Sequence, residues 1–355
     1  MRNLDRFEGC LIGGAAGDAL GYVVEFNDTA EILEKYGDAG ITEFDLHRGK
    51  ALISDDTQMS LFTGAGLLLG TWAKKQGKNQ PLEHYINCAY KDWYRTQMEN
   101  YPLDGGQKYT WLPQVPELYA DRAAGTSCMS SLRRGGNGTM ENPVNDSKGC
   151  GGIMRVAPIA LYFLDRHKKI EEVDQLAAKS AALTHGDPLG YIPAAALAHI
   201  IAMLADAEEP DYMDAVLDMK NAIRRQFPGQ ASVDLLMDLI DQAIALSTED
   251  IEDIKAIEQI GAGWVAEETL AIAIYCVLKY QGDFEKIIIA AVNHRGDSDS
   301  TGAVAGNIVG AAIGLPNIPE KFVENLEIKD VIIEMADDLY YEETEKFEDI
   351  DIDVD

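Results

Sequence analysis

The sequence predicts an all-α fold, and three observations carry that prediction. Apolar residues recur at helical spacing along most of the chain, glycines recur every fourth residue in two stretches, and period-two alternation is scarce. Phe284, Ile287, Ile288 and Ala291 follow the i, i+3, i+4, i+7 pattern of a half-buried helix. Leu236, Leu239, Ile240, Ala243 and Ile244 repeat it, with Asp234, Asp238 and Asp241 on more polar positions. The same periodicity predicts helices over 55–75, 172–184, 193–207, 210–227 and 265–281.

The glycine series are Gly9, Gly13, Gly17 and Gly21, and Gly302, Gly306, Gly310 and Gly314. At helical spacing each series forms a smooth ridge on one face. Glycine inside a helix costs about 1 kcal/mol relative to alanine, and close backbone approach between helices is the usual compensation. The two ridges therefore pack either on each other or separately on bulky core residues. Between Gln97 and Gly152 the helical period fades. Glycine, proline and asparagine become frequent there, as in Asp104-Gly105-Gly106 and Arg134-Gly135-Gly136-Asn137-Gly138. A long irregular stretch inside a compact domain is more often functional than idle. No linker divides the chain, so a single domain is expected over 1–341. The remainder, 342–355, has eight acidic residues and one lysine and reads as a frayed, solvated tail.

With 355 residues, 46% of them hydrophobic, the chain supports a sizeable core. A formal net charge of −30 repels phosphate backbones and anionic lipid, which argues against nucleic acid and membrane as partners. The five cysteines (Cys10, Cys88, Cys128, Cys150 and Cys276) are odd in number, widely spaced and without a CxxC. That pattern argues against a disulfide framework or a zinc-thiolate site and for a reducing compartment. Arg2 and Arg6 precede a small, apolar run from Cys10 to Val24, but Asp5, Glu8 and Asp18 break the signal-peptide pattern. No uninterrupted apolar run reaches the length of a membrane span. The expected location is the cytoplasm.

Chemistry concentrates in two acidic clusters. Ser54 suits the N-cap of the helix carrying Met59, Phe62 and Leu69, which puts Asp55 and Asp56 in its first turn, followed by Thr57. Asp297-Ser298-Asp299-Ser300-Thr301 repeats the arrangement where the second glycine series begins. Read alone, each cluster is ordinary helix capping. Read together, two carboxylate-and-hydroxyl clusters at helix starts offer the oxygen donors that hard divalent cations take, in the manner of two-metal hydrolases.

A series of motifs runs in order along nearly the whole chain. It begins with Gly9-Cys10-Leu11-Ile12-Gly13, Gly17-Asp18-Ala19-Leu20-Gly21, Glu25-Phe26 and Ser54-Asp55-Asp56-Thr57. It continues with Arg122-Ala123-Ala124-Gly125-Thr126, the run from Ser147-Lys148-Gly149-Cys150-Gly151-Gly152 through Ile153-Met154-Arg155-Val156-Ala157-Pro158, and Thr184-His185-Gly186. Gly263-Trp264-Val265-Ala266-Glu267-Glu268 and the cluster from Gly296 to Gly302 close it. In these residues the chain resembles the ADP-ribosylglycohydrolases, the group that includes dinitrogenase reductase-activating glycohydrolase.

The resemblance implies a single-domain, orthogonal multi-helix bundle with a pair of Mg²⁺ (or Mn²⁺) ions. By motif position it implies Ser54, Asp55, Asp56, Asp297, Asp299 and Ser300 as ligands, with the ions on the ribose hydroxyls and a water. It implies Glu25, Asp55 and Asp299 as catalytic residues, Glu25 as acid/base or as a gate on substrate entry. It places Gly149, Cys150, Gly151, Gly152, Met154 and His185 along the ADP-ribose groove. The implied activity is removal of ADP-ribose from modified protein side chains, arginine first, which reverses mono-ADP-ribosylation. The implied partners are the ADP-ribosylated protein and an ADP-ribosyltransferase. Rival readings are another linkage (serine, O-acetyl-ADP-ribose or a nucleobase) and a non-catalytic member that binds a partner or blocks a toxin as an immunity protein. Intact acidic clusters favour catalysis.

Some residues carry two readings. Asp18 is a buried hydrogen-bonder or a partner behind the metal ligands. His185 is a helix cap or a nucleotide contact, His294 is structural, and Trp264 either stacks on ADP-ribose or sits in the core. Trp93, Tyr94 and Trp111 are further stacking candidates. Nothing marks Cys150 as a nucleophile, because no histidine neighbours it in sequence. Ser300 stands where threonine is common in the family, keeping the hydroxyl. Some members carry a leaving-group aspartate after a Thr-Gly segment near Gln97. This chain has no clear counterpart; Glu99 and Asp104 are the nearest acids.

Overall fold

The computed structural model describes residues 3–164, 169–348 and 350. Arg2 and the tail residues 349 and 351–355, on which parts of the reading above fall, lie outside the described residues. Fifteen α-helices are present among the described residues and no strand is, only isolated bridges such as Ala51 with Leu326 and Gly149 with Val265. Helices α1 (Leu4–Tyr22), α2 (Thr29–Tyr36), α3 (Asp55–Lys75) and α4 (Leu82–Met98) come first. The stretch read as irregular holds α5 (Thr126–Arg133) and three 3₁₀ turns, Leu112–Gln114, Pro116–Tyr119 and Cys150–Gly152. Then follow α6 (Ala157–Phe163), α7 (Ile170–Ala182), α8 (Pro188–Asp206), α9 (Tyr212–Gln226), α10 (Ala231–Ser247) and α11 (Asp253–Ile260). The chain closes with α12 (Ala266–Tyr280), α13 (Phe284–Val292), α14 (Ser298–Ile313) and α15 (Lys329–Tyr341).

The two glycine ridges face each other. Gly9 lies against Gly310 and Gly314, Gly13 against Gly306, Gly17 against Gly302, and Gly21 against Ser298, so α1 and α14 run antiparallel at backbone contact. A Cβ added at Gly9 would sit 2.6 Å from the Gly310 carbonyl oxygen, and one at Gly17 would overlap the Gly302 carbonyl. Asn307 ties the pair by donating to the Cys10 carbonyl at 2.8 Å. Both helices are buried on nearly every face, because α3, α13 and α15 pack around α1 and α8, α12 and α13 around α14. An all-round apolar helix is the expected form for such a position.

Helix α8 shows the same effect. By length and apolarity it reaches the size of a membrane span, which the reading of the sequence did not anticipate, and 89% of its apolar window is buried in the protein. Its one imidazole, His199, is fully buried between Asp174 of α7 (2.9 Å) and Asp218 of α9 (3.1 Å). That pairing satisfies a polar group the helix would otherwise bury alone.

The described part of the tail, residues 342–348 and 350, differs from the frayed end expected from Glu342. Phe347 is buried with its ring 6.4 Å from Trp72, and Lys75 donates to the Thr344 hydroxyl at 2.8 Å. Lys346 bridges Glu334 and Asp338 and lies 4.3 Å over the Trp111 ring. Acidic composition suggested solvent, but one aromatic side chain over α3 suffices to dock the segment.

Because the α1–α14 contact leaves no room for a methyl group, Gly17→Ala is expected to destabilise the protein by about 1–3 kcal/mol through overpacking. Urea unfolding of the variant against wild type measures it, and an unchanged midpoint would contradict the packing account.

Candidate active site

Antiparallel packing brings the C-terminal end of α1 to the N-terminus of α14. Asp18, fully buried on α1, reaches across to the start of α3. Its carboxylate accepts from Ser54 N at 2.9 Å, from Thr57 N at 3.1 Å and from the Thr57 hydroxyl. It therefore caps α3 from outside and holds the first acidic cluster against the glycine-ridge pair. The Ser54 hydroxyl accepts from Asp56 N at 3.2 Å, the local cap expected of it. Asp297 caps α14, accepting from Ser300 N at 3.3 Å.

The loop before α5 latches the first cluster from the other side. Asp55 N donates to the Arg122 carbonyl (3.1 Å), and the Asp55 carboxylate accepts from Gly125 N (3.1 Å). Between them Ala123 takes a left-handed backbone, φ 61°, and Arg122 is fixed by an ion pair with Glu327 at 3.0 Å. A left-handed non-glycine residue carries strain, and here it lies on the rim of the cavity.

Glu25, Asp55, Asp56, Asp297, Asp299 and Ser300 line one cavity of about 330 Å³. Gly149, Cys150, Gly151, Met154 and His185 line it as well. Two of the expected site residues do not. Ser54 is fully buried behind the wall with its hydroxyl beside Asp299. Gly152 faces inward, where a Cβ would meet the Gly190 carbonyl at 2.6 Å.

Asp18, Glu25, Asp55, Asp56, Asp297 and Asp299 are all buried, and none pairs with a lysine or arginine among the described residues. Buried charge without a counter-ion is costly. Burial and mutual repulsion accordingly push these carboxyls up: Asp18 to about 7 and Glu25 to about 10, with Asp55, Asp56 and Asp299 raised well above the usual range. Ligand oxygens of Glu25, Asp297 and Asp299 all lie within 4.8 Å of one another. One oxygen each of Glu25 and Asp56 is buried without a hydrogen-bond partner. Convergent, unpartnered carboxylate oxygens are a donor set fitted to divalent cations.

Behind the glycine-rich loop, Arg155 is completely buried without a carboxylate. It donates to the Ser180 carbonyl (3.1 Å) and the Thr184 hydroxyl (2.7 Å) and stacks 4.4 Å from the Tyr90 ring. The Thr184 hydroxyl also shares a hydrogen bond with His185 Nδ1 at 2.9 Å, and the ring's Nε2 faces Gly149 and Gly151. Burial and the Arg155 charge hold His185 down to about 3, so the ring is neutral. Cys150 donates to Asp297 at 2.7 Å, and burial raises its thiol, so it is no nucleophile.

A family model described as ADP-ribosylglycohydrolase matches residues 1–348. The chain belongs to the ADP-ribosylglycohydrolase family. Human ADP-ribosylhydrolase ARH3 is 25% identical over 358 aligned residues, 92% of this chain and 90% of that protein. The ADP-ribosylarginine hydrolase Tri1 of Pseudomonas putida is 26% identical over 341 residues, 95% of this chain and 78% of that one. A solved structure titled ADP-ribosylglycohydrolase-related protein complex superposes with a TM-score of 0.66 over 96% of this chain and 98% of its own, at 23% identity, a likeness of fold. ADP-ribosyl hydrolysis is the activity that this membership indicates.

Against the family pattern, the aromatic expectations sort differently. Trp264 is 43% exposed at the cavity mouth, held there by Cys150 N donating to its carbonyl (3.3 Å), and stacks 6.1 Å from Phe26, itself 74% exposed. Trp93 is in the core, donating to Gln58 at 3.0 Å, and Trp111 lies under Lys346, so neither reaches the cavity. Glu99 is exposed and paired with Arg95 at 2.7 Å, Asp104 is exposed, and neither lines the cavity. The expectation that His294 is structural fits its buried contact with the Thr301 hydroxyl at 3.0 Å. Phe26, Arg155 and the Ala123–Thr126 rim stood inside motifs of the sequence without an assigned role. Only their placement supplies one.

The raised carboxyls set a pH dependence. In an unfolded chain they titrate near about 4, so their contribution to stability is whole below that pH. It is lost as pH rises through about 7 for Asp18 and about 10 for Glu25. In chelator the melting temperature is therefore expected to fall from pH 5 to pH 9. A flat or rising profile in a thermal-shift assay would contradict the assignment.

Proposed function

We propose that this protein hydrolyses the bond between ADP-ribose and a modified arginine of a protein, reversing mono-ADP-ribosylation installed by an ADP-ribosyltransferase. The observation that carries this reading is the convergence of five buried, uncompensated carboxylates, Glu25, Asp55, Asp56, Asp297 and Asp299, on one cavity. Asp55, Asp56, Asp297 and Asp299, with the hydroxyl of Ser300, would hold two Mg²⁺ (or Mn²⁺) ions, and the Ser54 hydroxyl behind the wall would orient Asp299. When bound, such ions supply charge that polarises the ribose hydroxyls and an attacking water.

The chain's own groups do the rest. Glu25 stands beside Asp297 and Asp299 with one oxygen unpartnered and its pKa raised by burial, suited to hold a proton for the leaving group and to accept one from water. The neutral His185 ring and the Gly149–Gly151 loop, which line the cavity together, would face the diphosphate. Phe26 and Trp264 flank the mouth and cover the nucleoside. Arginine is favoured over serine by electrostatics at the binding step, because a modified guanidinium is a cation drawn to an acidic cavity while a modified serine is neutral. The Pseudomonas relative's name points the same way.

The test offers ADP-ribosyl-arginine and ADP-ribosyl-serine peptides to the protein with Mg²⁺ and with EDTA. Release from arginine in Mg²⁺, abolished by EDTA and reduced at least about 100-fold by Asp299→Asn, is expected. Release from serine alone would move the linkage. Release that ignores EDTA would remove the metals. No release from either, with function retained in an Asp55→Ala, Asp299→Ala variant, would favour a binding protein.

A further inference from the structure

A second groove adjoins the cavity. It encloses about 780 Å³ and shares Ala124 and Thr126 with the cavity rim. Part of its lining is apolar: the half-buried Tyr94 and 60% exposed Met98 of α4, and Met129 of α5. Arg133 and Arg134, both exposed at the end of α5, complete it.

These arginines are unusual on this surface. The chain has 60 acidic and 30 basic residues, and cations such as Lys35, Arg95, Arg122, Lys148, Lys220 and Lys279 each sit on a carboxylate. Arg133 and Arg134 pair with none among the described residues. Arg134 Nε meets only the Ser130 carbonyl of its own helix, at 3.2 Å. A strongly acidic molecule attracts basic partners nearly everywhere. Here the local field is reversed, on ground contiguous with the catalytic cavity.

We propose that this groove docks the stretch of target protein next to the ADP-ribosylated residue, and that this stretch is acidic and carries an apolar side chain. The inference rests on the hydrolase reading above. Once the modified side chain enters the cavity, the polypeptide bearing it must leave over the rim, and Ala124 and Thr126 are shared by that rim and the groove. An apolar residue then covers Met98 and Tyr94, while carboxylates face the two guanidiniums, a geometry arginine serves well because it stays charged and bonds carboxylates in pairs. Lysine-rich stretches are turned away. The groove thus selects among proteins that carry the same modification.

The experiment compares wild type with the Arg133→Glu, Arg134→Glu double variant on three substrates: an ADP-ribosylated peptide with Glu and Leu flanks, the same peptide with Lys flanks, and ADP-ribosyl-arginine alone. For the acidic peptide kcat/KM is expected to fall about tenfold in the variant, chiefly through KM, while ADP-ribosyl-arginine is cleaved unchanged and the Lys-flanked peptide equally or better. An unchanged rate on the acidic peptide, or equal losses on all three substrates, would overturn the proposal. Weakened binding of free ADP-ribose by calorimetry would also overturn it, assigning the groove to the nucleotide. A wild type that cleaves none of the three would instead overturn the hydrolase reading on which the proposal stands, a different result from selective failure with the peptides.

Discussion

Backbone contact between α1 and α14 is the constraint on which the site depends. Glycines facing one another along the contact line remove Cβ atoms there, so two helices lie closer than ordinary side chains allow. Asp18 then reaches the start of α3, and the turn after α1 delivers Glu25 to Asp297 and Asp299. A wider spacing would separate these groups and leave two unrelated helix caps. The conformational cost of glycine in two helix interiors is thus offset by packing that also builds the acidic centre.

That centre is costly in its turn. Six carboxylates share a buried region, none paired with a lysine or arginine among the described residues, and burial first, then mutual repulsion, pushes their pKa values up. A protein selected for stability alone would replace some of them. Their retention marks a functional compromise, in which ligand charge completes what folding leaves uncompensated. The same logic answers how a chain of net charge −30 accommodates an anionic nucleotide. Under the proposed function the neutral His185 ring, the glycine-rich loop and cations held by the carboxylates would act within a few ångströms, where the global field is screened.

Rigidity is graded outward from this point. Arg155 locks Thr184 and His185 from below with hydrogen bonds to fully buried partners, whereas Phe26 and Trp264 meet at the mouth largely in solvent. Specific polar contacts therefore sit on a fixed base and adaptable aromatic ones at the entrance, an arrangement suited to gripping a flexible dinucleotide-like ligand.

The sequence by itself determined the all-α class, the long helices, the two ridges and the two acidic clusters, because each is a local pattern: a 3.6-residue period, a four-residue glycine repeat, an N-cap followed by carboxylates. The ordered motifs carried the family for the same reason. Other features exist only between distant segments, and the tertiary structure decided them. Whether the ridges meet each other, that Asp18 caps α3, that Trp93 is core while Trp264 is exposed, and that Phe347 docks its tail all depend on contacts across tens to hundreds of residues. Tryptophan burial could not be read locally because one side chain suits both a core and a stacking platform. Arg133 and Arg134 carry no signal in the sequence; the fold sets them in a groove on the cavity rim, unpaired with any carboxylate among the described residues.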